Sequence, residues 1–235
     1  MQNKLYVIIP AYNEEKNIKS VIEEWYPIVE NIGNGSKLVI IDDGSKDNTY
    51  KVMMEMAKNR PMYEPKTKSN GGHGATILWG YHYALEHGAD YIFQTDSDGQ
   101  TRAAEFPAFW KLREQYAMVI GHRAHREDGK SRIFVTKVLK LVIKICFGVS
   151  VKDANTPFRL MQANELRKII DLIPDNFFLT NVLISVIYTK RKMGIKYLPI
   201  TFRPRQGGTN SINMKKIYTI GIDAVRDFIS LRKKV

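Results

Sequence analysis

Asp96 and Asp98 stand one residue apart behind the apolar run Tyr91–Gln94, with Gly99 and Gln100 following. In an extended segment, side chains two apart point the same way. Both carboxylates can therefore face one cation, and the Gln100 amide oxygen can join them. The competing reading is a polar turn, since Asp-Ser-Asp-Gly is ordinary loop chemistry. The place of the motif at the carboxyl end of a strand favours the cation.

Three further segments have chemistry to offer. Asp42-Asp43-Gly44-Ser45 follows another apolar run. It serves as a turn, or it offers Asp43 to hydrogen-bond a nucleoside, as an acid after the second strand does in dinucleotide folds. Pro10-Ala11-Tyr12-Asn13-Glu14 reads as a loop leading into a helix, with Asn13 as the cap. Gly71-Gly72-His73-Gly74 is either a flexible turn or a close approach to a diphosphate at the start of a helix.

These loops need a frame. Leu5–Ile9 and Leu38–Ile41 are apolar runs of buried-strand type. Between them Ile18, Val21, Ile22, Trp25, Ile28, Val29 and Ile32 recur at threes and fours and predict a helix, which Gly33-Asn34-Gly35 ends. Asp47-Asn48-Thr49 opens the next helix. Beyond a Pro- and Lys-rich stretch from Arg60 to Ser69, Ile77, Leu78, Tyr81, Ala84 and Leu85 share one helical face, and Tyr91–Gln94 is a further strand. Strand and helix alternate, which predicts a mostly parallel sheet flanked by helices, with ligands gathering beyond the carboxyl ends of the strands. From about Gly121 the alternation fades into Arg-rich loops and two amphipathic helices, around Arg132 to Val149 and Met214 to Leu231. The expected organisation is one α/β domain over residues 1–213 and a C-terminal amphipathic helix over 214–235.

The chain has 235 residues, one cysteine and a formal net charge of +12. A lone Cys146 excludes an internal disulfide and a zinc cluster and fits a reducing compartment. Lys137, Lys140 and Lys144 interrupt the longest apolar candidate, so no membrane-spanning helix is expected. The charge favours a polyanionic partner. A nucleic-acid-binding module is the rival reading, but the basic residues are not interleaved with aromatics in a binding signature and acidic pairs occupy the expected site. No nucleic-acid partner is expected.

The runs V-I-I-P-A-Y-N-E-E at Val7 to Glu15, I-I-D-D-G-S-K-D-N-T at Ile40 to Thr49, N-G-G-H-G-A at Asn70 to Ala75 and T-D-S-D-G-Q at Thr95 to Gln100 together resemble the family 2 glycosyltransferases with a GT-A fold. Gly121-His122-Arg123, Asp153 to Arg159 and Leu198 to Asn210 are similar to the dolichol- and polyprenyl-phosphate sugar synthase branch. This chain has Asp96-Ser97-Asp98 and Thr156-Pro157-Phe158-Arg159 where that branch often reads D-A-D and S-G-F-R. The resemblance implies a nucleotide-sugar donor held by Pro10, Ala11, Tyr12, Glu14, Asp43, Ser45, Gly72, His73 and Asp96. It also implies Mg²⁺ or Mn²⁺ at Asp96, Asp98 and Gln100.

An inverting transferase acting on a hydroxyl needs a carboxylate base, which many members carry at the head of a late helix. The corresponding stretch, Phe177-Phe178-Leu179-Thr180-Asn181, has no acid. A phosphate acceptor is already ionised and needs cations instead. Arg123, Arg132 and Arg203 are the first choices to hold it, with Arg126, Arg159 and Arg205 behind them. The expected reaction is transfer from a UDP- or GDP-sugar to a polyprenyl phosphate. A hydroxyl of a surface polysaccharide or glycolipid is the alternative acceptor. The segment from Arg132 to Val151, with its lysine face, is expected to lie on the lipid headgroups, making the protein cytoplasmic and peripheral on the inner face of the membrane.

Overall fold

The computed structural model describes residues 3–123, 130–204 and 224–232, with the backbone alone over 130–135. Strands β1 (Leu5–Ala11), β2 (Lys37–Asp42), β3 (Tyr63–Thr67) and β4 (Tyr91–Gln94) alternate with helices α1 (Ile18–Ile32), α2 (Thr49–Ala57) and α3 (His73–Glu86). There follow α4 (Phe106–Trp110), β5 (Met118–Arg123), α5 (Lys130–Phe147), β6 (Arg159–Gln162), α6 (Ala163–Arg167), α7 (Thr180–Lys190) and β7 (Ile195–Ile200). The seven strands form one sheet in the order β3-β2-β1-β4-β6-β5-β7. Only β6 runs antiparallel to its neighbours, β4 and β5.

Both faces of the sheet are covered, which is why its strands read as unbroken apolar runs. Tyr6 and Ile8 of β1 face a core built with α3, α5 and α7. Val7, Ile9 and Ala11 face the other, where Trp25 of α1 stacks on Phe93 at 5.2 Å and Phe158 meets Phe93 edge-on at 4.7 Å. The helical stripe expected for α1 is its buried face: Ile18, Val21, Ile22, Trp25 and Val29 are all inside. Gly33, with φ of +64°, ends that helix as expected.

Three features differ from the sequence expectations. The Pro- and Lys-rich stretch contains β3, which tolerates Pro65 and Lys66 because it is an edge strand bonded only to β2. The region after Gly121 contributes β6, α6, α7 and β7 to the same sheet and core, where Arg-rich loops were expected. Helix α7 is buried from Thr180 through Tyr188 and so has no polar face to give it a periodicity. Of the expected C-terminal helix, residues 224–231 are helical and Phe228 packs against Phe147 and Phe177, while 214–223 lie outside the described residues.

Candidate active site

The order β2-β1-β4 brings three of the polar loops side by side at the carboxyl ends of adjacent strands. They are tied together directly. Asn13, at φ of +54°, accepts from the N–H of Lys46 through Oδ1 at 2.8 Å, and its own N–H donates to Ser45 Oγ at 2.9 Å. Asn13 is therefore a clasp between the first two loops; the residue that caps α1 is Asn17. The N–H of Glu14 donates to Thr49 Oγ1 at 2.8 Å, and its buried carboxylate accepts from Asn17 Nδ2 at 2.6 Å. Of the expected donor residues in these two loops, Glu14 and Ser45 thus hold the junction, whereas Tyr12 is exposed above it.

Asp42 is buried and accepts from Thr67 Oγ1 at 2.9 Å, fixing the end of β2 to the end of β3. Asp43 turns the other way. Its Oδ1 accepts from the Lys68 ammonium and from the N–H of Gly71 at 2.9 Å, and its Oδ2 from the N–H of Gly72 at 2.8 Å. Burial works to raise the pKa of Asp43, but the Lys68 and Gly71 hydrogen bonds outweigh it and hold the carboxyl below its ordinary value. The glycine loop is thus folded around Asp43. Gly72 takes a φ of +84°, open to glycine at no steric cost. A Cβ at Gly74 would collide with the carbonyl oxygens of Phe177 and Phe178, so the head of α3 sits directly against the head of α7.

The Asp-Ser-Asp motif bends at residues 97–99, where an extended segment was expected, yet its burial still alternates. Ser97 is buried and its hydroxyl donates to the Pro10 carbonyl at 2.8 Å, pinning the motif to β1, while Asp96 and Asp98 on either side are part-exposed. Oδ1 of Asp96 lies 3.0 Å from His73 Nε2, which joins the glycine loop to the motif. Loss of solvent works to lower the pKa of His73. The Asp96 carboxylate, with Asp98 and Asp43 farther off, outweighs that and holds it above the ordinary histidine value. The N–H of Gln100 donates to Asp98 Oδ1 at 3.1 Å, and Gln100 Nε2 donates to the Arg203 carbonyl at 2.9 Å. Among the described residues the amide oxygen of Gln100 takes no donor, so it could join a cation.

Among the described residues no group of three or more His, Cys, Asp or Glu side chains forms a cage for a metal ion. The donor set here is oxygen-rich and small: two carboxylates and one amide. That suits Mg²⁺ or Mn²⁺, which binds through one or two carboxylates with substrate phosphates completing its shell.

The arginines divide. Arg159 is fully buried, and its guanidinium donates to the carbonyls of Thr156, Asn181 and Ala154 and to the Ser185 hydroxyl. It bolts β6 to α7 and cannot meet an acceptor phosphate. Arg123 forms a two-pronged pair with Asp153 through Nε and Nη2 at 3.0 and 2.9 Å, which orients the guanidinium and leaves Nη1 outside the pair. Arg159 therefore leaves the list of acceptor ligands, and Arg123 stays on it. Arg203 donates to the Thr101 carbonyl at 2.8 Å and reaches Glu24 at 3.4 Å, beside the Asp98–Gln100 turn. Arg126, Arg205 and the side chain of Arg132 lie outside the described residues.

Two residues of the site escaped sequence reasoning. Gln94, at the end of β4, is fully buried, and its amide donates to Asp96 Oδ1 at 3.2 Å. Asn181, buried at the head of α7, donates to Gln94 Oε1 at 3.1 Å. The available signal was a glutamine closing an otherwise apolar strand immediately before the acidic motif.

The sequence model of glycosyl transferase family 2 matches residues 6–187. The UDP-N-acetylglucosamine–dolichyl-phosphate N-acetylglucosaminyltransferase of Methanococcus voltae is 29% identical over 221 residues, covering 85% of this chain and 86% of that protein. The undecaprenyl-phosphate 4-deoxy-4-formamido-L-arabinose transferase of Pectobacterium atrosepticum is 25% identical over 200 residues, covering 80% of this chain; the match spans 60% of that longer protein. Among solved structures, glucosyl-3-phosphoglycerate synthase from Mycobacterium tuberculosis, in complex with Mn²⁺, UDP-glucose and phosphoglyceric acid, superposes with a TM-score of 0.72. The identity is 16%, over 98% of this chain and 80% of that one, so the likeness is one of fold.

Proposed function

The chain belongs to glycosyl transferase family 2, and from that premise we propose that it transfers a sugar, with inversion, from a UDP- or GDP-sugar to a polyprenyl phosphate at the cytoplasmic face of a membrane. The observation that carries the reading is the convergence of the Asp43-held glycine loop and the outward carboxylates of Asp96 and Asp98 at the ends of β2, β1 and β4. In this reading Tyr12, Pro10, Ala11 and Asp43 receive the nucleoside, and Gly72 and His73 receive its diphosphate. Mg²⁺ or Mn²⁺ held by Asp98, with Asp96 and Gln100 beside it, would supply positive charge to the departing diphosphate.

The acceptor assignment rests on what stands at the head of α7. The stretch 177–181, leading into α7, holds no acid where many transferases acting on alcohols carry one. A phosphate monoester, with a second pKa of about 6, brings its own ionised oxygen. The protein then has to position that oxygen and balance its charge. Arg203 beside the Asp98 turn and Arg123 at the end of β5, with Arg126, Arg132 and Arg205, are the proposed cations. The relatives whose names specify dolichyl or undecaprenyl phosphate support the same acceptor class.

Among the described residues no helix is long and apolar enough to cross a membrane. Helix α5 instead exposes Val138, Leu141 and Ile145, the last at 73%, along one line flanked by the exposed Lys137, Lys140 and Lys144. Such a face can lie in the headgroup region of an anionic bilayer, with its apolar stripe inserted and its lysines among the phosphates. The test is an assay with radiolabelled UDP- and GDP-sugars and Mn²⁺, offering polyprenyl phosphate and the matching polyprenol in parallel. Label in the organic phase with the phosphate alone supports the reading. Equal labelling of the alcohol transfers it to the hydroxyl-acceptor alternative.

A further inference from the structure

Beneath the acidic motif a line of buried polar side chains runs from α3 through α7 to Asp96. The Tyr81 hydroxyl donates to Asn181 Oδ1 at 3.4 Å, Asn181 Nδ2 donates to Gln94 Oε1 at 3.1 Å, and Gln94 Nε2 donates to Asp96 Oδ1 at 3.2 Å. Tyr81 and Gln94 are fully buried and Asn181 is 2% exposed. We infer that Gln94 and Asn181 are positioning residues that fix the Asp96 carboxylate so that its Oδ2 faces the cation and the donor diphosphate.

The direction of the chain follows from donor and acceptor chemistry. An ionised carboxylate only accepts, so Asp96 forces the NH₂ end of Gln94 toward itself. The Gln94 oxygen then faces Asn181, which must present its own NH₂, and the remaining Asn181 oxygen is left for the Tyr81 hydroxyl. Each amide therefore has one satisfied orientation. Gln94 and His73 both occupy Oδ1 of Asp96, while Oδ2 takes no donor among the described residues. The far end is anchored too: the Asn181 carbonyl accepts from the guanidinium of Arg159 at 3.0 Å, and in the sheet Arg159 stands in register beside Gln94. Buried networks with every member satisfied hold a single geometry, and partners behind a metal-binding carboxylate tune its affinity for the metal.

The inference rests on the transferase reading, and its experiment separates the two. Full-length wild type and the near-shape-matched variants Gln94→Met, Asn181→Leu and the double variant would be titrated with MnCl₂ in the presence of UDP, following free Mn²⁺ by electron paramagnetic resonance. Thermal melts would be recorded without metal. Each single variant is expected to weaken Mn²⁺ binding by about 10- to 100-fold. The double variant should be no worse than the poorer single one, because one broken link already frees Asp96. Tyr81→Phe, which keeps the packing, is expected to weaken binding by about threefold and provides the comparison if the larger replacements unfold. Wild type that binds neither Mn²⁺ nor UDP overturns the transferase reading together with this inference. Wild type that binds while the folded variants bind equally tightly overturns the positioning role alone. So do losses that multiply in the double variant, or melting temperatures that fall while Mn²⁺ affinity holds.

Discussion

His73 Nε2 lies 3.0 Å from Oδ1 of Asp96, so the first residue of α3 and the acidic motif after β4 share one hydrogen bond across the mouth of the sheet. The contact makes the glycine loop and the motif a single surface. His73→Ala is expected to lower affinity for a nucleoside diphosphate with Mn²⁺ by about tenfold, the worth of one charge-assisted hydrogen bond. Calorimetry with UDP and GDP reads it directly, and unchanged affinity would remove His73 from the donor site.

Asp43 yields a prediction with a definite sign in pH. Its pKa is held below the ordinary value by Lys68 and the Gly71 N–H, against the burial that works to raise it. A depressed folded pKa contributes stability that is fully present above the unfolded pKa of about 3.9 and is lost as pH falls through the folded value. Asp43→Asn should therefore lower stability at neutral pH and flatten the fall in urea midpoint below about pH 4. A variant whose midpoint falls with acid as steeply as wild type would show that the Asp43 clamp does not contribute.

Arg159 marks where reading residues by type alone fails. An arginine near an expected phosphate is a natural ligand, but Arg159 is taken up by the nearby carbonyls of Thr156 and Ala154 and, 22 and 26 positions on in α7, by Asn181 and Ser185. No local pattern reveals such partners. Arg159→Met is expected to cost about 3 kcal/mol or more of unfolding free energy, because buried carbonyls lose their donors. The KM for lipid phosphate of the folded fraction should stay unchanged. A selective rise in that KM with normal stability would return Arg159 to the acceptor site.

The first half of the chain was legible because its physics is local. Apolar runs, a helical stripe on α1 and acidic turns after β2 and β4 all occur at short range. Strand β3 was hidden by Pro65 and Lys66, which only its edge position permits, and α7 by complete burial. Gln94 and Asn181 were invisible for a third reason. They are 87 positions apart, and only the antiparallel insertion of β6 and the packing of α7 over the sheet bring them together.

The outward stripe of α5 gives a membrane prediction. Placing charge at its two most exposed apolar positions, Leu141→Glu with Ile145→Glu, should abolish flotation with vesicles containing anionic lipid and leave the melting temperature near wild type. Wild type that does not float with such vesicles, or a double variant that floats as well, would contradict the headgroup placement.

The central claim is that Asp98 anchors a divalent cation on which sugar transfer depends. The direct measurement is the initial rate of transfer to polyprenyl phosphate for wild type and Asp98→Ala across a Mn²⁺ titration, with an EDTA control. Loss of several kcal/mol of transition-state stabilisation predicts a fall of at least about a hundredfold for Asp98→Ala at saturating donor, and no detectable wild-type transfer in EDTA. Near-wild-type turnover by Asp98→Ala, or full activity in EDTA, would contradict the account.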